Sequence, residues 1–259
     1  AVLQAEPHVE GEFLVLNGDR IIEADLIAEV ARERRETFGG TGQLRFLRRG
    51  DGSWLAGGTG GEIQRIDRFG QPTSDRYEPF GGDAVTAGQW GSSHWLVGSE
   101  NGDLVHLEPG SFQTRSSVIS FGSGNDPIVD ILYTNTKWWA LTSSAIAEVT
   151  SNQVLEPSTI ASGRTITTAA FADGTVVVGS EDGHVLAAST GSGLADASWT
   201  AALDGHAVRD FAWNGSEWLA VGDGGRLRRL GADRAPKGSV TTVVNGHDID
   251  AVRATDNGW

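Results

Sequence analysis

The sequence predicts an all-β chain, a β-propeller of six four-stranded blades closed by the C-terminal strand. Three observations carry this expectation. Similar segments recur about every 41 residues from one end of the chain to the other. Asn-Gly and Asp-Gly turn signals separate apolar runs of strand length. Glycine is abundant, 36 of 259 residues, against an ordinary share of about 7%, and no Gly-X-Y period accompanies it. Residues 1–259 read as a single propeller domain, with a ring of seven blades or a section of a longer array as the alternatives.

The repeat has two marks. Its anchors are Phe13, Trp54, Trp95, Trp138, Val176 and Trp218, spaced 41, 41, 43, 38 and 42 residues apart. Trp259 follows after a further 41. Ten residues ahead of each anchor stands an aliphatic residue: Leu3, Leu44, Val85, Ile128, Ile166, Val208 and Ile249. Between mark and anchor lies a turn, such as Asp51-Gly-Ser, Asn214-Gly-Ser-Glu or Asp256-Asn-Gly. A second turn follows the anchor, clearest at Asn101-Gly, Asp182-Gly and Asp223-Gly-Gly. These turns supply the positive-φ positions that tight hairpins need. Each repeat reads strand, turn, strand, turn, strand, then a looser fourth strand such as 116–121 or 239–244. Four antiparallel strands at this period make a propeller blade, and stacking the blades buries their apolar rows. Most of the nine Trp are expected between blades.

From Phe13 to Trp259 is 246 residues, six periods of 41. The segment Ile249–Arg253 is then the innermost strand of the first blade, whose other strands come from the N-terminal residues. The segment around Leu3 competes for that slot, but Pro7 cannot donate to a ladder. In Ala24–Glu36, Leu26, Ile27, Val30 and Ala31 fall at helical spacing, so a short surface helix or an outer strand is expected there.

Composition narrows the function. The net charge is −14, from 20 basic and 34 acidic residues. Such a chain repels phosphate backbones, and the short basic runs at 32–35, 45–49 and 226–229 read as solvated faces. Nucleic acid is excluded as a partner. No apolar run approaches the ~18 residues of a span, so membrane insertion is not expected. The absence of Cys excludes disulfides, thiolate catalysis and Cys-ligated metals. The absence of Met means that the sequence does not begin at a translation start, which favours a mature secreted or periplasmic chain over a cytoplasmic one. A monomer is expected.

The stretch from Leu203 to Leu227 resembles a WD-repeat. It has Gly205-His206, the aliphatic Val208, a hairpin turn, the strand Leu219-Ala-Val-Gly and the turn Asp223-Gly. Asn245-Gly-His247 begins a second copy. The Gly-His signature covers only these two repeats, and the closing Trp-Asp dipeptide is absent. The chain is thus similar to a degenerate WD-repeat propeller and equally to Trp/Gly-repeat propellers. The resemblance implies a binding platform more than an enzyme, and a structural hydrogen bond from His206 to a turn Asp.

Twelve residues ahead of successive anchors stand Gly42, Asp83, Asp126, Arg164, His206 and His247. A propeller puts this position in the loop leading into each innermost strand, at one mouth of the central channel. Equal offsets become a ring by symmetry. Asp83, Asp126, Arg164, His206 and His247 are therefore the candidate ligand-binding residues, with Asp130, Arg209, Asp210 and Asp250 just inside. Loop exposure alone would also make this position polar. A ring of mixed charge suits a protein segment or a glycan better than a polyanion. Trp90, Trp199 and Trp213, off the repeat register, are further candidate contacts, with Trp213 equally readable as core. No Gly-x-Ser-x-Gly elbow or His-x-x-x-His pair is present, so no catalytic residue, metal or cofactor is assigned. The expected function is a non-catalytic binding or scaffold module using one face or the channel mouth. The alternative is a hydrolase- or lyase-type enzyme with its site at that mouth, marked by a buried carboxylate of shifted pKa.

Overall fold

The computed structural model describes residues 42–122, 125–189, 197–244 and 246–254. Phe13, Trp259, Leu3 and the segment Ala24–Glu36 lie outside the described residues. Twenty strands form five four-stranded antiparallel sheets, each a meander in chain order. The first holds β1 (Leu44–Gly50), β2 (Ser53–Gly58), β3 (Ile63–Ile66) and β4 (Pro72–Tyr77). The second holds β5 (Val85–Trp90), β6 (Trp95–Ser99), β7 (Asp103–Leu107) and β8 (Ile119–Ser120). The third holds β9 (Asp130–Tyr133), β10 (Trp138–Leu141), β11 (Ala145–Val149) and β12 (Ser158–Thr159). The fourth holds β13 (Ile166–Ala172), β14 (Thr175–Ser180), β15 (His184–Ser189) and β16 (Thr200–Ala201). The fifth holds β17 (Val208–Trp213), β18 (Trp218–Gly222), β19 (Arg226–Leu230) and β20 (Pro236–Thr242). No α-helix occurs among the described residues, and so none long and apolar enough to cross a membrane.

The repeat read from the sequence is the repeat of sheets. Leu44, Val85, Ile166 and Val208 begin first strands, and Trp95, Trp138 and Trp218 begin second strands. Trp54 and Val176 are the second residues of theirs. The fourth strands depart from expectation. β8 keeps only two residues of 116–121, and β20 starts three residues before 239. An outermost strand has a neighbour on one side only, and both β12 and β16 are exposed throughout, so little burial holds a longer ladder. Residues 249–253, expected as a strand, join no ladder. They are nevertheless bonded to the fifth sheet.

Aromatic pairs fill the seams between sheets. Trp90 faces Trp95, Tyr133 faces Trp138 and Trp213 faces Trp218 across their hairpins, with ring centres 5.2, 4.7 and 5.3 Å apart. Trp95 is 1% exposed and Trp218 2%. Trp90, expected as an exposed contact, and Trp213, read as contact or core, are half-buried in these pairs, because a cross-strand neighbour offers each ring more contact than water does. Trp199 is also half-buried and donates its Nε1–H to the Ile160 carbonyl at 2.8 Å.

Successive first strands pack against one another in chain order and form the innermost layer. Four of them carry the same bulge, which sets Arg45, Thr86, Thr167 and Arg209 outside the pairing. A bulge re-aims side chains, and Thr86 and Thr167 reach forward from theirs, as Asp130 and Asp210 do from paired positions. Thr86 Oγ1 donates to the Ile128 carbonyl at 2.6 Å. Asp130 accepts from the Ala169 N–H at 3.0 Å. Thr167 Oγ1 donates to the Val208 carbonyl at 2.6 Å. Asp210 accepts from the Val252 N–H at 2.9 Å.

One seam also holds a pair of histidines. His94 Nε2 lies 2.9 Å from His106 Nδ1, and His106 Nε2 lies 3.0 Å from the Thr150 carbonyl of the third sheet. A carbonyl only accepts, so His106 Nε2 carries the proton and its Nδ1 accepts from His94. His94 Nδ1 then accepts from the Ser93 hydroxyl at 3.1 Å. Both rings lie against Trp138, at 5.3 and 5.9 Å. Burial, then the neighbouring His106 and Arg115, lower His94 to about 4, and burial with Arg115 lowers His106 despite its bond to Thr150. Both rings are neutral in the folded chain near pH 7, whereas the unfolded chain takes protons near pH 6.5. The stability they lend is therefore complete above pH 6.5 and is lost as pH falls toward about 4. Melting temperature should fall through this window in the native chain and fall less in His94→Gln. A melting temperature that is flat between these values ends the assignment.

Candidate functional site

The first strands bring charge to the innermost layer. Asp130 and Asp210 stand two residues after the marks Ile128 and Val208, at the same place in their sheets. Asp130 is 8% exposed. Its carboxylate accepts from the Ile131 and Ala169 N–H groups at 2.9 and 3.0 Å and from the Thr168 hydroxyl at 3.4 Å. Arg48 Nη2 lies 3.8 Å away. Arg48 belongs to the first sheet and Asp130 to the third, so the pair reaches past the second. Burial pushes the Asp130 carboxyl up. Arg48 and the two N–H groups oppose that rise, and the charge of Asp210 adds to it. Asp210 accepts from the Phe211 and Val252 N–H groups, both at 2.9 Å, and pairs with Arg253 Nη1 at 2.6 Å. Two carboxylates and two arginines thus share the inner layer.

The loops leading into the first strands lie at one end of this layer. In four sheets the turn after the second strand bonds back to the leading loop of the same sheet: Thr59 to Gln43, Glu100 to Ala84, Glu181 to Thr165 and Asp223 to Ala207. The next sheet joins at the same level, with Ile128 N–H on the Ser99 carbonyl and Ile166 N–H on the Ser143 carbonyl. Asp83, Arg164 and His206 stand two residues ahead of β5, β13 and β17. Asp126 and His247 stand two ahead of Ile128 and Ile249. Asp83, Arg164 and His206 are half-buried, and Asp126 and His247 are exposed. Turn and loop meet closely. Gly183 has φ +78°, and a Cβ there would stand 2.7 Å from the His206 carbonyl oxygen, so only glycine fits.

Arg164 is the most constrained of the five. Its Nε lies 3.2 Å from Asp182 Oδ2, an ion pair without the alignment of a hydrogen bond, and its guanidinium lies 5.8 Å from the Trp199 ring centre. His184 Nδ1 also lies 3.2 Å from Asp182 Oδ2. Burial works against ionising Asp182. The Ser180 hydroxyl, His184 and Arg164 outweigh it and hold the carboxyl below its usual range. The hydrogen bond expected from His206 to a turn Asp does not occur among the described residues, where its ring stands beside Gly224. Of the residues expected just inside the mouth, Asp130 is buried and Asp210 half-buried, whereas Arg209 is exposed and paired with Asp223 and Asp250 is exposed.

Sequence reasoning missed Arg48 and Arg253, and it read Asp182 and Trp199 without their approach to Arg164. A signal existed for the first two, since each stands four residues after its mark, Leu44 or Ile249. Among the described residues no group of three or more His, Asp or Glu is placed to hold a metal ion.

This geometry has known counterparts. The crystal structure of the computationally designed Ika8 protein matches with a TM-score of 0.57 at 18% identity, over 82% of this chain and 65% of that one. The fold is shared. The chain spans about 65% of that protein's length, and the likeness extends to architecture alone. Chains of known structure that match number 1428, so the fold by itself selects no partner. No family model matches the sequence, and no curated protein matches it.

Proposed function

We propose that the chain is a non-catalytic binding module, a closed six-bladed propeller that holds a polypeptide segment at the channel mouth formed by Asp83, Asp126, Arg164, His206 and His247. One observation carries this reading. The inner carboxylates are spent on the scaffold, because Asp130 and Asp210 each accept from backbone N–H groups of two successive segments. A general acid or base needs an oxygen free to face a substrate. The leading-loop side chains, by contrast, face solvent at one end, where loops placed by a rigid frame commonly bind. The hydrolase or lyase reading has the raised carboxyl of Asp130 on its side, but both oxygens of that group already accept from backbone N–H groups and the residue is buried.

Closure by the C-terminal segment has its own support. Ile249 N–H bonds to the Gly222 carbonyl at 3.1 Å, as Ile128 does to Ser99 at 3.0 Å and Ile166 to Ser143 at 2.8 Å. Val252 meets Asp210 as Ala169 meets Asp130. Residues 249–253 are thus bonded to the fifth sheet much as the third and fourth sheets are bonded to the ones before them, which supports closure at this seam.

The test is a random-peptide display library selected on the native chain, with hits measured against the double variant Asp83→Asn/Asp126→Asn. Binding should weaken about tenfold or more with melting temperature unchanged. Hits that bind the double variant as tightly as the native chain would remove the mouth from the function.

A further inference from the structure

The mouth residues are not equivalent, and the difference bears on what they recognise. Arg164 is the one arginine among the five, and it is held from two sides. Asp182 Oδ2 lies 3.2 Å from its Nε, and the guanidinium lies 5.8 Å from the Trp199 ring centre. Trp199 is itself fixed by its bond to the Ile160 carbonyl at 2.8 Å. An arginine lying within cation–π reach of an indole and ion-paired at Nε has given up some of its rotamer freedom before any partner arrives. Its terminal Nη1 and Nη2 groups make no hydrogen bond among the described residues, and its side chain is 26% exposed. The fork that matches a carboxylate is therefore oriented and unspent.

The surroundings decide what may approach it. Asp83, Asp126 and Glu181 stand in the leading loops and turns of the same end. They disfavour an acidic partner over much of this end, where the exposed Arg209 is already paired with Asp223, and they favour basic side chains around Arg164. Resting on the mouth reading above, we propose that Arg164 anchors a carboxylate of the bound polypeptide, so that the partner segment carries one acidic residue flanked by basic ones. The Nη fork would hold the carboxylate through two parallel N–H···O bonds. Lysine could not replace it, because an ammonium offers a point charge in place of a planar fork.

The experiment uses the same display library on the native chain. Selected peptides should be enriched in Asp or Glu next to Lys or Arg. One such peptide and its Glu→Gln or Asp→Asn counterpart are then measured against the native chain, Arg164→Ala, Arg164→Lys and Asp83→Asn/Asp126→Asn. The native chain should prefer the acidic peptide by about tenfold or more, and the preference should vanish in both Arg164 variants. Arg164→Lys keeps the positive charge beside Asp182, so it remains informative where Arg164→Ala loses fold. If the native chain binds both peptides equally, or selects peptides without an acidic residue, while Asp83→Asn/Asp126→Asn weakens them, the Arg164 inference falls and the mouth reading stands. If no peptide is selected, or binding is indifferent to all three variants, both fall.

Discussion

Trp218→Ala should cost about 3–5 kcal/mol of stability, the range for emptying a large aromatic site in a packed core. Trp218 is 2% exposed and stands between Phe211 and Trp213, at 6.4 and 5.3 Å. Its cluster also draws Val177 and Val185 from the fourth sheet, so the substitution hollows the seam between two sheets. β18 is laddered on both sides, to β17 and β19, and cannot collapse into the void. Urea denaturation followed by fluorescence measures the loss. A value under about 1 kcal/mol would mean that the seam relaxes freely and that the tryptophan row is not what joins the sheets.

Asp130→Ala should cost about 3 kcal/mol, because it strands the Ile131 and Ala169 N–H groups, and each unpaired buried donor costs about 1–3 kcal/mol. Asp130→Asn should fall between the native chain and the alanine variant. It keeps one accepting oxygen but turns an amide N–H₂ toward a donor. The pH dependence gives a second check. Because burial raises the folded carboxyl above its unfolded value, ionised Asp130 carries a penalty above its folded pKa. That penalty fades as pH falls toward the unfolded value. The margin between the native chain and Asp130→Ala should therefore widen on acidification. A margin that shrinks would mean that the carboxylate is stabilised by its partners more than it is penalised by burial.

Much of the fold was legible because its strongest signals are local. Turn residues and apolar runs recur at one period, so Trp95, Trp138 and Trp218 fell where the period put them. The outer strands were less legible, since an edge strand such as β12 is held by few contacts and its sequence is correspondingly unconstrained. The offset rule placed Asp130 and Asp210 on equivalent positions, yet it could not say that one would be buried and the other half-buried. That difference depends on which side chains cover them from other sheets. Arg48 escaped for the same reason, because its partner is 82 residues away. Trp90 was misread as a surface group because it stands off the period, although it is the cross-strand partner of an anchor, as Trp213 is.

The clasps between inner strands alternate along four successive seams: threonine at Thr86, carboxylate at Asp130, threonine at Thr167, carboxylate at Asp210. Each reaches forward, from one sheet to the next, and none reaches back. Such joints are head-to-tail, and chemistry alone sets no limit on how many can follow one another. The alternation adds a grammar to that freedom. Thr86 and Thr167 lie 81 residues apart, and Asp130 and Asp210 lie 80 apart, so the joints repeat every second sheet. That grammar governs only the side chain that reaches: every counterpart is a backbone carbonyl or N–H, so a sheet copied or excised alone would still find a partner for its clasp.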